Sequence, residues 1–73
     1  MFLAQNLKFL REEKIATQED ISKGIGVSKG TYSNYENGRR IPTLSHTITI
    51  ANYFGVTLDQ LVRQDLSKGS TQL

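Results

Sequence analysis

The chain has 73 residues, a formal net charge of +2 and no cysteine, so we expect one small domain that is not held by disulfides. No apolar run approaches the roughly 20 residues of a membrane helix, and we expect no membrane-spanning segment. No signal-peptide pattern opens the sequence, so the expected location is cytoplasmic.

The first predicted helix covers about residues 2–14. Leu3, Leu7 and Leu10 recur at the i, i+4, i+7 spacing of one helix face, which predicts a buried stripe. Phe2 and Phe9 follow a second line along the helix. We interpret them as the edge of the core, with an exposed partner-binding patch as the alternative.

Residues 17–26 have the signals of a short capped helix. Thr17 can cap its N-terminus, and Asp20 lies where a capping-box acid bonds back to the first turn. The helix is predicted from Gln18 to about Gly24, and Gly26 can take the left-handed conformation that ends a helix. A tight turn to the next element follows.

A second capped helix follows this turn directly. Ser28 is its predicted N-cap, and the helix runs to about Glu36. Tyr32 and Tyr35 belong to its apolar side, and we interpret Tyr35 as a core aromatic residue with a hydrated hydroxyl. The residues that remain outward are Lys29, Gly30, Ser33 and Asn34, with Thr31 at the edge.

The C-terminal half of the chain predicts two more helices. Pro42 forces an extended residue before it, and Thr43 caps the fourth helix, which ends at Gly55. Thr57 caps the fifth helix, with Gln60 at the capping-box position. The predicted apolar stripes are Leu44, Ile48, Ala51 and Phe54 on the fourth helix, and Leu58, Leu61, Val62 and Leu66 on the fifth.

Basic residues are concentrated around the second capped helix. Between residues 23 and 40 there are four basic residues and one acid, Glu36, whereas two basic residues balance two acids from residue 41 onward. The four are Lys23, Lys29, Arg39 and Arg40. Such a cluster is typical of a surface that contacts nucleic-acid phosphates.

Spaced residues along most of the chain carry a family resemblance. They are Leu7, Leu10, Arg11, Thr17, Gln18, Glu19, Gly26, Val27, Ser28, Tyr35, Glu36, Asn37, Gly38, Pro42, Ala51, Phe54, Gly55, Val56, Leu58 and Leu61. Over about residues 4–64 this pattern resembles the Cro and phage-repressor type of helix-turn-helix, a family of bacterial and phage transcription regulators. The resemblance implies an all-α, compact five-helix domain of the lambda-repressor type, with the helix-turn-helix at helices two and three.

The resemblance also sets the expected domain and function. Residues 1–66 would form the DNA-binding domain, and residues 67–73 a disordered polar tail. The implied function is sequence-specific binding of double-stranded DNA, with repression of transcription more usual in the family than activation. The chain departs from the family at Ile15-Ala16, where a glycine and a large aliphatic residue are usual, and at Thr47, where leucine is usual.

Roles for individual residues follow from the same match. Base-facing family positions match Lys29, Gly30, Ser33 and Asn34, and Thr31 is a further base-contact candidate beside them. The family position that matches Gln18 holds a phosphate, and the remaining phosphate candidates are Lys23, Ser28, Asn37, Arg39, Arg40 and Thr43. Arg11 and Glu36 match an ion pair that ties the first helix to the end of the recognition helix. The alternative is a solvated arginine and a helix-end glutamate.

Gly30 stands early in the recognition helix, where a glycine costs ~1 kcal/mol of helix propensity. It also removes a side chain that could read a base. The glycine either admits close approach of the groove edge or means fewer direct base contacts.

An enzyme has little support in this sequence. His46 is the only histidine, and a lone histidine on a helix is usually structural or solvated. The acids of Glu12-Glu13 and of Glu19-Asp20 are adjacent in sequence and therefore lie on different sides of a helix. We expect no catalytic residue, no metal and no cofactor.

The expected assembly is a homodimer, at least on DNA. Its interface would use Leu58, Leu61, Val62 and Leu66. A two-fold dimer would place the two recognition helices ~34 Å apart and require a palindromic operator. The alternative function is a protein-interaction module, such as an antitoxin, that uses the same fold to bind a protein partner.

Overall fold

The computed structural model describes residues 1–69 and folds them into six helices, with no strand among these residues. The helices are α1 (Leu3–Glu13), α2 (Gln18–Ile25), α3 (Lys29–Glu36), α4 (Leu44–Phe54), α5 (Leu58–Arg63) and α6 (Leu66–Gly69). The predicted all-α architecture, with the helix-turn-helix at α2 and α3, is confirmed. No helix in this described part of the chain is both long and apolar enough to cross a membrane.

Capping interactions confirm the predicted starts of α2 and α5. Thr17 Oγ1 accepts a hydrogen bond from the Asp20 N–H at 3.0 Å, and the Asp20 carboxylate accepts from the Thr17 N–H at 3.1 Å. Thr57 and Gln60 make the same reciprocal pair at the start of α5. At the other end of α2, Gly26 has a φ of 80°, so the turn uses the left-handed conformation that favours glycine.

A single core forms where the first five helices meet. Its buried apolar residues are Leu3, Leu7, Ile21, Ile25, Tyr32, Tyr35, Ile50, Ala51 and Leu61. Helix α1 packs against α3 and α5, and α2 packs against α3 and α4. This packing fixes α3 from its inner side and leaves its outer side in solvent.

The buried face of α4 differs from the predicted one. The sequence predicted a stripe of Leu44, Ile48, Ala51 and Phe54. In the structure Leu44 is 70% exposed and Ile48 is 42% exposed, whereas Thr47 and Ile50 are buried. Burial of Thr47 is tolerated because its hydroxyl donates to the Thr43 carbonyl at 2.8 Å within the helix. Both faces have helical spacing, so packing against α2 and α5 decides between them.

Asn6 is a fully buried polar residue that no sequence pattern indicated. Its Nδ2 donates to the carbonyl oxygens of Leu61 at 2.7 Å and Gln64 at 2.6 Å. Its Oδ1 accepts from the Leu66 N–H at 3.0 Å. The last carbonyls of a helix have no partner within it, and here α1 supplies one from a distant part of the chain.

Helix α6 lies at the start of the segment that was expected to be disordered, and it is one helix more than the five expected. The Asp65 carboxylate accepts from the Ser67 N–H at 3.2 Å and from the Ser67 hydroxyl at 2.6 Å. With the bond from Leu66 to Asn6, these contacts hold a turn of helix that polar composition alone does not predict. The rest of the expected tail, residues 70–73, lies outside the described residues.

Two positions near the α2 end of the molecule restrict which residue can stand there. A Cβ on Gly24 would overlap the ring of Tyr53, so glycine lets α4 approach α2 closely. Ile15, between α1 and α2, has a φ of 54° and is 93% exposed. This left-handed backbone is strained for a β-branched residue and would suit a glycine.

Candidate nucleic-acid interface

The outer side of α3 carries short polar side chains and one lysine. These residues, which we name the recognition face, are Lys29, Gly30, Thr31, Ser33 and Asn34. Lys29 and Gly30 are exposed and the other three are partly exposed, whereas Tyr32 and Tyr35 on the inner side are buried. All five predicted base-contacting residues therefore keep at least part of their surface accessible to solvent.

Arg11 and Glu36 form a two-pronged ion pair between α1 and the end of α3. Arg11 Nε donates to Glu36 Oε1 at 2.8 Å, and Nη2 donates to Oε2 at 3.0 Å. The Glu36 side chain is only 4% exposed and that of Arg11 is 18% exposed. A third donor of Arg11, on Nη1, bonds to the Ala16 carbonyl at 3.0 Å. The buried pair is present, and the alternative of a solvated arginine is wrong.

Glu36 is held in its charged form by this network. Burial raises the pKa of Glu36, but hydrogen bonds from Arg11 and Gln18 and the charge of Arg11 outweigh it, so the pKa lies below its ordinary value of 4.5. The hydrogen bond to Glu36 in turn raises the pKa of Arg11. Burial also raises the pKa of the neighbouring Tyr32, whose hydroxyl therefore stays protonated.

Gln18, the predicted phosphate contact at the start of α2, also belongs to this network. Its Nε2 donates to Glu36 Oε2 at 2.9 Å. The side-chain amide has two N–H groups, so one remains for a phosphate. Glu36 thus holds the side chain of Gln18 in one orientation while it anchors α3 to α1.

Three exposed cations lie among the phosphate candidates. Two residues separate the end of α3 from Arg39 and Arg40, whose backbone N–H groups donate to the Asn34 carbonyl at 2.9 and 3.2 Å. This keeps the two arginines beside the end of the recognition face. Lys23 Nζ lies 3.5 Å from a Glu19 carboxylate oxygen, and both side chains are well exposed, so a phosphate would have to compete with that weak pair.

The two capping hydroxyls among the phosphate candidates differ in what they can donate. Ser28 Oγ donates to Thr31 Oγ1 at 2.9 Å, which uses its hydroxyl proton inside the cap. Thr43 Oγ1 accepts from the His46 N–H at 3.1 Å. Because a phosphate oxygen only accepts, the hydroxyl of Thr43 suits a phosphate better than that of Ser28.

Tyr35 and His46 make a contact that the sequence did not predict. The Tyr35 hydroxyl lies 2.9 Å from His46 Nδ1, so it is bonded within the protein rather than hydrated as expected. The bond links the last turn of α3 to the first turn of α4 and spans the loop of residues 37–43. His46 is therefore a structural partner of α3. The sequence signal for this contact is weak: Tyr35 is predicted to be buried, and a buried tyrosine hydroxyl needs a hydrogen-bond partner.

The predicted dimer residues separate into two groups. Leu61 is fully buried in the core and has no surface to offer a partner, so its assignment to the interface is wrong. Leu58 is 37% exposed, and Val62 and Leu66 are partly exposed. Leu58 and Val62 line a groove of about 530 Å³ between α4 and α5, which we name the apolar groove; its other lining residues are Pro42, Leu44, Thr47, Asp59 and Arg63.

Comparison with known proteins agrees with this geometry. A family model described as helix-turn-helix matches residues 7–61. The cryptic phage CTXphi transcriptional repressor RstR of Vibrio cholerae is 37% identical over 59 residues, which cover 81% of this chain and 53% of RstR. The uncharacterized HTH-type transcriptional regulator YqaE of Bacillus subtilis is 35% identical over 60 residues, which cover 82% of this chain and 52% of YqaE.

A third relative is matched over most of its length. The uncharacterized HTH-type transcriptional regulator MJ0272 of Methanocaldococcus jannaschii is 36% identical over 59 residues, which cover 81% of this chain and 89% of MJ0272. The chain spans about half the length of RstR and of YqaE. No solved structure gives a significant match.

Proposed function

Because the chain belongs to the helix-turn-helix family of transcriptional regulators, we propose that it binds a palindromic DNA operator as a homodimer and represses transcription there. The recognition face supports this proposal most directly. It is polar and solvent-facing, and the basic side chains of Arg39 and Arg40 are exposed just beyond it. A helix of this kind can enter the major groove and read base edges.

The proposed contacts divide between bases and phosphates. The base contacts are Lys29, Gly30, Thr31, Ser33 and Asn34, and the phosphate contacts are Gln18, Lys23, Ser28, Asn37, Arg39, Arg40 and Thr43. Phosphate contacts set the register of α3 in the groove, and base contacts supply specificity. Ser28 is the weakest member of the phosphate set, since its hydroxyl proton is directed to Thr31.

The proposed dimer joins two copies at the apolar groove. Leu44, Ile48 and Leu58 expose apolar side chains on or beside it. A two-fold interface places the same surface of each copy against the other. The exposed apolar side chains beside the groove of one copy could therefore pack into the groove of the other. Such a dimer would bind two half-sites about one helical turn of DNA apart, and we place its action in the cytoplasm.

Selection of bound sequences from a random duplex library, at two salt concentrations, tests the DNA-binding proposal. We expect an enriched palindrome that a Lys29→Ala/Asn34→Ala double variant no longer selects. Lys8→Ala removes an exposed charge from α1, outside the proposed contacts, and should select the same palindrome. Retention of random DNA without a motif, weakening steeply with salt, would show phosphate binding only and would contradict the proposal.

Sedimentation of the chain on the selected operator tests the dimer. Leu44→Asp and Leu58→Asp place a charge in the apolar groove and should leave a monomer that folds normally. Ile15→Asp places the same charge at an exposed apolar residue elsewhere and should remain dimeric. A chain that stays monomeric both free and on its operator would contradict the dimer without contradicting DNA binding.

The apolar groove also supports a second candidate function, a protein-interaction module such as an antitoxin. In that case the groove would hold another protein rather than a second copy. Tight binding of a protein partner that Leu44→Asp abolishes, combined with weak DNA association at every salt concentration, would favour this function over operator binding.

A further inference from the structure

The side chains of the recognition face do not offer donors and acceptors equally. The ammonium group of Lys29 has three donors and no acceptor. Serine and threonine hydroxyls can do both, so what they present to DNA depends on which bonds they already make within the protein. The structure gives those bonds for Thr31 and Ser33.

Thr31 accepts its internal hydrogen bond through the side-chain oxygen. Ser28 Oγ accepts a hydrogen bond from the Thr31 backbone N–H at 3.1 Å. The Ser28 hydroxyl also donates a hydrogen bond to Thr31 Oγ1 at 2.9 Å. The oxygen of Thr31 therefore serves the helix cap. Its own hydroxyl proton is therefore not used in the cap.

Ser33 is oriented in the same way by a residue one turn further on. Asn37 Nδ2 donates to Ser33 Oγ at 3.3 Å. The hydroxyl proton of Ser33 is thus directed away from Asn37 and remains available as a donor. Lys29, Thr31 and Ser33 therefore each keep a donor that the bonds described above do not use.

No carboxylate is available on this face to accept a hydrogen bond. Glu36 is the only acid between residues 23 and 40. Its Oε1 accepts from Arg11, and its Oε2 accepts from both Arg11 and Gln18. A carboxylate is the side chain that suits the amino group of cytosine. The Glu36 carboxylate already accepts three hydrogen bonds within the protein and is buried.

We propose that the bases facing Lys29, Thr31 and Ser33 are guanine or thymine, whose major-groove edges present acceptors, and not cytosine, whose edge presents a donor. Guanine offers N7 and O6, and thymine offers O4. Asn34 has both a donor and an acceptor, so adenine suits the next position. This inference rests on the proposed operator binding and names the class of half-site that the chain selects.

The test begins with the half-sites selected by the full chain and by three single variants. Lys29→Ala, Thr31→Val and Ser33→Ala should each lose enrichment at one base, which assigns that base to the residue. Thr31→Ser keeps the hydroxyl and should keep the preference that Thr31→Val loses. Thermal melting of each variant confirms that it folds, and Ser33→Ala is safe because alanine favours a helix.

Duplexes with single-atom changes then test the acceptors directly. Replacing each assigned guanine by 7-deazaguanine removes the N7 acceptor, and replacing it by 6-thioguanine weakens the O6 acceptor, so at least one of the two changes should weaken binding about 10-fold. The same replacements outside the half-site should leave the affinity unchanged. If the assigned bases are thymine, replacing the 4-oxo group by 4-thio should weaken binding in the same direction.

Different results would overturn the inference and the proposed function. Cytosine at the assigned positions, or unchanged affinity for the deazaguanine and thio duplexes, would overturn the donor assignment while leaving operator binding intact. A library that yields no enriched sequence would contradict operator binding, and the inference with it.

Discussion

Arg11 donates two parallel hydrogen bonds to Glu36, at 2.8 and 3.0 Å, and so joins α1 to the last turn of α3. Two donors in a fixed fork set the orientation of the carboxylate as well as its distance. The outer side of the same helix is the recognition face. The pair therefore helps to fix the orientation of the recognition face relative to α1.

Removal of either partner of this pair should be strongly destabilising. Arg11→Ala and Glu36→Ala each leave a charge without its partner in a site that is mostly closed to water, and we expect a loss of ~3–5 kcal/mol in the free energy of unfolding. Urea unfolding measures it. The double variant Arg11→Met/Glu36→Met should lose much less, because it leaves no stranded charge. Unchanged melting temperatures in both single variants would contradict the assignment.

The same pair predicts a loss of stability in acid. The folded pKa of Glu36 lies below its ordinary value of 4.5, so the pair contributes fully above the unfolded pKa and loses its contribution as the pH falls through the folded value. Urea unfolding from about pH 7 to about pH 3 should show the decline begin below about pH 5.

Variants separate the sources of this acid sensitivity. Glu36→Gln should show a smaller decline than the parent chain. The Asp20 pKa is also lowered, first by the backbone hydrogen bond from Thr17, and contributes a decline of the same sign, so Asp20→Asn is a second reference. A pH profile that Glu36→Gln leaves unchanged would show that Glu36 is not its source.

Asn6→Ala should destabilise the domain although it removes no charge and little apolar surface. The substitution leaves the buried carbonyl of Leu61 and the partly buried carbonyl of Gln64 without this donor, and an unsatisfied buried group costs ~1–3 kcal/mol. Thermal unfolding should show a clear drop in melting temperature. Lys8→Ala, at an exposed position on the same helix, should show almost none. Equal melting temperatures for the two variants would contradict the structural role of Asn6.

Gly30→Ala should raise stability and lower DNA affinity together. Nothing lies within 4 Å of a Cβ at this position, so alanine adds ~1 kcal/mol of helix propensity without a clash. We expect weaker operator binding, because the added methyl group stands between the helix and the base edges. Parallel measurements of melting temperature and operator affinity check both effects. A stabilised variant with unchanged affinity would show that α3 does not approach the bases at Gly30.

Helix starts are predictable from this sequence because each depends on residues three apart. Thr17 with Asp20 and Thr57 with Gln60 are complete signals within one turn of chain. The recognition face is predictable for a similar reason, since the two buried tyrosines of α3 determine which side remains outside.

Contacts between distant residues are not predictable in this way. Asn6 bonds to partners 55 to 60 residues away, and an asparagine in the middle of a helix carries no sign of such a role. Spacing alone does not identify the buried face of α4, because Leu44 and Ile48 repeat at helical spacing just as Thr47 and Ile50 do. The same holds for Leu61, since an apolar residue suits a core and a partner surface equally well.

The bond between Tyr35 and His46 links the surface proposed to read DNA to the surface proposed to join two copies. Helix α3 carries the recognition face and α4 lines the apolar groove, so the bond makes the distance between the two surfaces a fixed property of one copy. A dimer joined at the apolar groove would therefore bind only operators whose two half-sites have one particular spacing. Each base pair inserted between the half-sites would turn one of them by about 35° around the DNA axis, out of reach of the second α3.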